Sequence, residues 1–226
     1  MDNQKAVYWW NRAAEHGDVD AMYNMGHAYL SGIGVMANPH IAFDWFKKAA
    51  DAGEVKAMLA LGVLCLDGEW GMVDREQAEK WFLRAVETGD AEALNAYAVQ
   101  LHNGAFGDAD KAKAVEVWTR AADKKCAAAM VSLAECYRDG DGVPADPKKA
   151  VQWFERAIEL KNTEAMKYLA EIYLKGEVVV YDSNKTLQLL TEAFDLGDEE
   201  AAILLADHYR KGSFGKKDCK KEKAML

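Results

Sequence analysis

Four columns of this 226-residue chain keep one register at a step of 36 residues. A short polar side chain suited to capping a helix recurs at Asp2, Asn38, Asp74, Asp110, Asp146, Asp182 and Asp218. Alanine recurs at Ala13, Ala49, Ala85, Ala121, Ala157 and Ala193, and again at Ala21, Ala57, Ala93, Ala129, Ala165 and Ala201. Glycine closes each period at Gly32, Gly68, Gly104, Gly140, Gly176 and Gly212. A fixed period carried by independent columns marks a stacked repeat, in which each unit buries its apolar face on its neighbours rather than in one common centre. It predicts a single repeat domain over 1–226, with repeats at 2–37, 38–73, 74–109, 110–145, 146–181 and 182–217 and a partial seventh at 218–226.

The fifth repeat shows what each unit is. Asp146 caps a helix that begins with Pro147, where a missing N–H costs nothing. Ala150, Trp153, Phe154, Ala157 and Ile158 then follow the three-and-four spacing of one helical face. After Lys161 and Asn162 a second stripe runs through Ala165, Met166, Leu169, Ala170, Ile172 and Tyr173, and Gly176 suits a left-handed stop. In the first repeat the same pattern predicts helices near residues 3 to 16 and 19 to 31. The expected fold is therefore an all-α solenoid of helix-turn-helix repeats.

Two aromatic columns supply the expected core: Trp9, Trp45, Trp81, Val117, Trp153 and Leu189, beside Trp10, Phe46, Phe82, Trp118, Phe154 and Leu190. The alanine columns do the opposite job and let helix backbones approach where they cross. The turn between the two helices holds glycine at Gly17, Gly53, Gly89 and Gly197 but lysine at Lys125 and Lys161, which predicts mild strain at those two turns if the geometry is shared. The connections between repeats come in two main kinds: Gly32-Ile-Gly34-Val35 and Gly140-Asp-Gly142-Val143 in one, and Trp70, Phe106 and Phe214 replacing the second glycine in the other. Those three rings are expected to tuck against the following helix, with a row of loop anchors for a partner as the alternative.

Charge narrows the function. A formal net charge of −9 is the wrong sign for a surface that tracks nucleic-acid phosphates. From Arg210 onward, seven basic residues face only Asp218 and Glu222, which reads as a solvated terminus or as a docking tail for an acidic partner. No apolar run is long enough to span a bilayer, and Met1 leads directly into a capped helix, so a soluble, cytoplasmic protein without membrane insertion is expected. Cys65, Cys126, Cys136 and Cys219 share no repeat position and no CxxC spacing, which fits buried or incidental thiols in a reducing compartment.

Read together, Trp-aromatic-x-x-Ala-Ala, a glycine near the turn, Ala-x-x-x-Leu-Gly in the second helix and a closing Gly-x-Gly-Val, as in Trp45 to Gly62 and Gly140 to Val143, resemble the Sel1-like repeat, a relative of the tetratricopeptide repeat. The resemblance covers essentially the whole chain. It implies a right-handed α/α superhelix and a role as an adaptor that assembles protein complexes, often in bacteria. One branch of that family has cysteine-stapled helix pairs and is associated with β-lactam binding or hydrolysis. Here the equivalent places hold Ala14, Ala50, Val86, Ala122, Ile158 and Phe194 opposite the alanines from Ala21 to Ala201, so the staples are absent.

Chemistry-bearing patterns are sparse. Ser213-Phe214-Gly215-Lys216 has S-x-x-K spacing, but it falls in a glycine-containing loop and has no K-T-G companion. His16, His27, His40, His102 and His208 occupy five different repeat positions, which offers no metal-ligand pair, and no cofactor is expected. Asp139-Gly140-Asp141-Gly142 lacks the closing glutamate of a calcium loop. Arg12, Lys48, Arg84, Arg120 and Arg156 each precede an acid by three residues, which reads as a solvated ladder or as a charged recognition strip.

The remaining variety lies on the first helices, which tend to line the concave side of a helical-repeat solenoid. Tyr8, Asp44, Lys80, Glu116 and Gln152 form one varying column, continued by Gln188; Asn11, Lys47, Leu83, Thr119 and Glu155 form another, continued by Thr191. Unselected solvent positions would vary too, but Tyr8 and Leu83 place apolar surface on a polar face. The sequence therefore predicts a non-enzymatic scaffold that binds a peptide segment or partner protein along these columns. The alternatives are a β-lactam-hydrolysing enzyme and a module that self-associates through its C-terminal repeat.

Overall fold

The computed structural model describes residues 2–68, 71 and 73–213. Trp70, Phe214 to Lys216, Asp218 and Cys219 lie outside them, and with them the S-x-x-K spacing, the second and sixth loop aromatics and most of the basic tail. The described residues form twelve α-helices and no strand: α1 (Asn3–Glu15), α2 (Val19–Ser31), α3 (Pro39–Asp51), α4 (Val55–Asp67), α5 (Arg75–Glu87), α6 (Ala91–His102), α7 (Lys111–Asp123), α8 (Ala127–Asp139), α9 (Pro147–Glu159), α10 (Thr163–Lys175), α11 (Ser183–Asp195) and α12 (Glu199–Lys211). Two helices fall in each period, so the all-α repeat expected from the sequence is present. The chain divides into two compact units, Met1–Val117 and Trp118–Leu226, with the boundary inside α7.

Local chemistry sets the helix starts. The carboxylate or amide oxygens of Asp2, Asn38, Asp74, Asp146 and Asp182 each accept a backbone N–H from the first turn, as from Gln77 to Asp74 at 2.9 Å. Asp110 accepts from Lys113 N–H at 3.0 Å. The second helices are capped in the same way by Asp18, Glu54, Asp90, Asn162 and Asp198, while Cys126 at the start of α8 makes no side-chain cap bond. Each such cap is worth about 1 kcal/mol.

The turn lysines adopt the conformation that their glycine counterparts adopt freely: Lys125 has φ 64° and Lys161 has φ 59°. Left-handed backbone crowds a Cβ against the following carbonyl. Lys161→Gly is accordingly expected to raise stability by about 0.5–1 kcal/mol, read as a higher urea midpoint; a lower midpoint contradicts the shared-turn reading.

Packing within each unit follows one rule: the second helix of a repeat receives the first helix of the next. Phe46 of α3 is fully buried against Gly26 of α2, where a Cβ would stand 2.5 Å from the ring. Phe82 of α5 repeats this against Gly62 of α4, at 2.6 Å. In the second unit Thr186 of α11 is buried where the earlier repeats hold alanine. Its hydroxyl is shared between the Ala170 and Asp182 carbonyls, both at 3.1 Å, so the substitution leaves no buried donor unpaired. The crossing alanines Ala49, Ala57, Ala85 and Ala93 share one core cluster, and Ala193 and Ala201 share another.

Three expectations need correction. Trp9 is not core: it is 65% exposed, with Tyr8 edge-on at 5.3 Å. Trp81 is buried, whereas Trp45 and Trp153 are half-buried and shielded on one face by their own helix cations, Lys48 Nζ at 4.0 Å and the Arg156 guanidinium at 4.3 Å. Three ladder cations thus serve the indole rings, since Arg84 also lies 5.3 Å over Trp81. Arg84 reaches back one repeat as well, donating to Asp51 at 2.8 Å and to the Ala50 carbonyl at 3.0 Å. Finally, Phe106 meets the preceding helices, 5.7 Å from both Phe82 and Tyr97, contacts that the expectation did not include.

Candidate interaction site

The ten first-helix positions predicted for recognition are distributed along α1, α3, α5, α7 and α9. Tyr8, Asp44, Lys47, Lys80, Leu83, Glu116, Gln152 and Glu155 are exposed, and Asn11 and Thr119 are half-buried. Tyr8 is 54% and Leu83 40% exposed. Local contacts occupy several of them: Asn11 donates to Glu15 at 2.8 Å, Arg12 donates to the Tyr8 hydroxyl at 3.3 Å, and Lys80 pairs with Glu76 at 2.6 Å.

Depth lies elsewhere, on the second helices. In the first unit a groove of about 360 Å³ runs between α2 and α4, with Tyr23, His27 and Leu30 on one wall and Lys56, Leu59, Ala60 and Val63 on the other. His27 packs edge-on against Tyr23 at 4.6 Å and Phe46 at 5.1 Å. In the second unit a groove of about 480 Å³ runs between α10 and α12, lined by Glu164, Lys167, Tyr168, Glu171, Glu200, Leu204 and His208, with Ala170 and Leu190 beneath.

These are one slot in two places. Tyr23, His27, Lys56, Ala60 and Leu64 of the first groove stand four periods before Lys167, Glu171, Glu200, Leu204 and His208 of the second. None of the ten first-helix positions lines either groove. The sequence carried a signal for the slot in columns whose chemistry changes from repeat to repeat: Tyr23, Leu59, Asn95, Val131, Lys167, Ile203, and Asp20, Lys56, Glu92, Ala128, Glu164, Glu200.

Electrostatics separates the two copies. In the first, burial pushes the His27 imidazole below its ordinary pKa, and burial together with Glu54 pushes the Tyr23 phenol up. In the second, burial works against the Lys167 charge, but hydrogen bonds from its ammonium to Glu200 and Asp198 outweigh this and hold it above the usual lysine range. Burial and a hydrogen bond with Glu135 push Tyr168 up to about 12, and burial with Lys211 lowers His208.

A histidine with a depressed pKa in the folded state leaves the unfolded chain to bind the proton first. Its stability contribution is therefore lost as pH falls below about 6.5. Thermal unfolding is expected to drop between pH 7.5 and pH 5.5, and His27→Gln to shrink that drop; an undiminished drop in the variant assigns the effect to other groups.

Nothing in either groove resembles a catalytic constellation. Among the described residues no three His, Cys, Asp or Glu side chains converge to hold a metal ion, and no helix is long and apolar enough to cross a membrane. Cys65, Cys126 and Cys136 are buried, and burial near Asp74 raises Cys65 to about 11, which keeps it protonated and unreactive.

Capped helix pairs in a fixed period, packed second helix on next first helix, define a helical repeat protein. Seven stretches match the Sel1 repeat, at residues 2–18, 19–54, 55–90, 91–126, 127–162, 163–198 and 199–225, and the chain belongs to the Sel1 repeat family. The full matches begin at the second helix, so those at 19–54, 55–90, 127–162 and 163–198 each contain a second helix and the next first helix that packs on it. A Sel1 repeat protein from Oxalobacter formigenes is similar in structure, with 28% identity and a TM-score of 0.77 over 97% of this chain and 96% of that one. A protective antigen of uropathogenic Escherichia coli is similar at 28% identity and a TM-score of 0.78, over 97% of this chain and 47% of the antigen, so this chain spans about half its length. An immunity protein from Pseudomonas aeruginosa shares the fold at 19% identity and a TM-score of 0.62, over 92% of this chain and 78% of that protein. No curated protein matches the chain in sequence.

Proposed function

We propose that the chain is a non-enzymatic scaffold that binds a peptide segment or partner protein, with the first-helix columns as one recognition face. Sel1 repeat proteins are in general protein-interaction scaffolds, and the fold is generally non-catalytic. The observation that carries the reading to this chain is the exposure of Tyr8, Trp9 and Leu83 on first helices whose other outward residues are polar. Large side chains that the fold leaves uncovered and does not need for packing are the usual anchors of protein contacts.

Affinity capture from the source cell with the unaltered chain and with Tyr8→Glu/Leu83→Glu tests the assignment. Both positions are exposed, so the double variant is expected to keep its helical circular dichroism while losing the captured partner. Capture indifferent to both changes removes the first-helix face from the reading.

A further inference from the structure

We infer that the slot between α10 and α12 receives a lysine or arginine side chain, flanked by an apolar residue, from an extended segment of a partner protein. The inference rests on the reading of the chain as a scaffold but puts the contact on the second helices rather than the first.

The slot has the two parts that such a segment needs. Its floor is apolar: Leu190 and Ala170 are almost fully buried beneath it, and Leu204 forms part of the α12 wall. Its rim is acidic. Glu164 and Glu171 are exposed on α10 and Glu200 is exposed on α12; Lys167 is the one cation among the lining residues, and Lys175, beyond the lining, pairs with Glu171 at 2.8 Å, so the four carboxylates, Asp198 included, still outnumber the two cations. The position of Lys167 is fixed. Its ammonium crosses to the α12 wall, where it is held by Asp198 at 3.1 Å and by Glu200, with the lysine side chain only 19% exposed, so it neutralises the opposite wall and not Glu164 and Glu171 on its own helix. His208 has its pKa depressed below 6.5 and is neutral near pH 7. The surplus is negative, and field lines in a low-dielectric cleft concentrate on whatever cation enters it. A guanidinium or ammonium group on a long apolar stem matches both the rim and the floor.

The equivalent slot between α2 and α4 provides an internal contrast. It has the same register, but Tyr23 and His27 replace Lys167 and Glu171, and Lys56 and Ala60 replace Glu200 and Leu204. Among the residues that line that copy Asp67 is the one acid and Lys56 the one cation, so its lining carries no acidic surplus, and the basic preference belongs to the second unit's slot and not to the repeat as such.

The test uses the full chain. An array of 12-residue peptides is probed with the biotinylated protein at 0.15 M salt, and bound sequences are remeasured in solution by fluorescence anisotropy. The expected result is enrichment of peptides with Lys or Arg within two residues of Leu, Ile or Phe. Glu164→Lys/Glu171→Lys should weaken them by about tenfold or more. Asp108→Lys/Glu177→Lys, which changes the net charge equally at two exposed loop sites, should leave them within about twofold. Leu204→Arg, which places a cation in the slot, should abolish binding while the helical signal persists.

Bound peptides without a basic residue overturn the inference, as does equal weakening by the loop and slot variants, which would make the attraction a property of the whole surface. An array with no bound peptide overturns it too. If Tyr8→Glu/Leu83→Glu removes binding and Glu164→Lys/Glu171→Lys does not, the slot fails and the first-helix reading stands; the reverse pattern keeps the slot and retires that face.

Discussion

Phe82→Ala is expected to destabilise the protein by about 3–5 kcal/mol, the range for removing a buried aromatic ring. Phe82 is 1% exposed and fills the seam where α5 meets α4, with Phe106 closing over it at 5.7 Å. Gly62 lets the ring sit so close that any Cβ there would stand 2.6 Å from it. The seam thus makes a second, coupled statement. Alanine is the better helix former by about 1 kcal/mol, yet Gly62→Ala should destabilise, because the added carbon meets the ring and not solvent. Combining it with Phe82→Leu should recover part of the loss. Urea unfolding of the two single variants and the double variant measures the coupling, and additive losses would mean that the two residues do not meet. Because a repeat array loses cooperativity locally, the Phe82→Ala transition should also broaden or split as the first unit melts ahead of the second.

Ala157→Leu addresses the alanine columns and is expected to cost about 1–3 kcal/mol by overpacking. Ala157 is completely buried near the end of α9, and its carbonyl accepts the backbone N–H of Leu160 at 3.1 Å and of Asn162 at 3.2 Å. A branched side chain there has no free volume to enter and can be housed only by parting α9 from α10, which also strains the left-handed turn at Lys161. Ala157→Gly, which removes the methyl without crowding, serves as the contrast. It should cost about 1 kcal/mol through helix propensity and the lost methyl. Thermal unfolding unchanged in Ala157→Leu contradicts the close-approach role of the column.

What was legible in the sequence was what a residue and its near neighbours decide. Asp74 caps α5 because its carboxylate reaches the Gln77 N–H three residues on, and no distant contact is needed to predict that. Lys125 and Lys161 take left-handed φ values because the column around them is glycine. Trp9 shows where a column misleads. Its periodic equivalents Trp45 and Trp153 are half-buried under the cations Lys48 and Arg156, whereas Trp9 is exposed, so identical register gives different exposure. The Arg84 contact with Asp51 was hidden because pairing by spacing alone favours the acid three residues ahead over one in the repeat before. The slot was missed for a related reason. Its walls stand about one period apart in the chain, and each varying column is uninformative until α10 and α12 are seen to face each other across it.

Because each slot takes one wall from each of two neighbouring repeats, no single repeat encodes a slot. Deleting residues 55–90, one full period, would join α3 to α6 and put α6 in the place of α4, in unchanged register. It would set Tyr23 and His27 opposite Glu92, Ala96 and Gln100, a pairing of walls that the present chain does not contain. Duplication or loss of whole blocks therefore recombines existing walls into new pockets without a point mutation, so binding specificity in such an array is written at the joints and is open to shuffling.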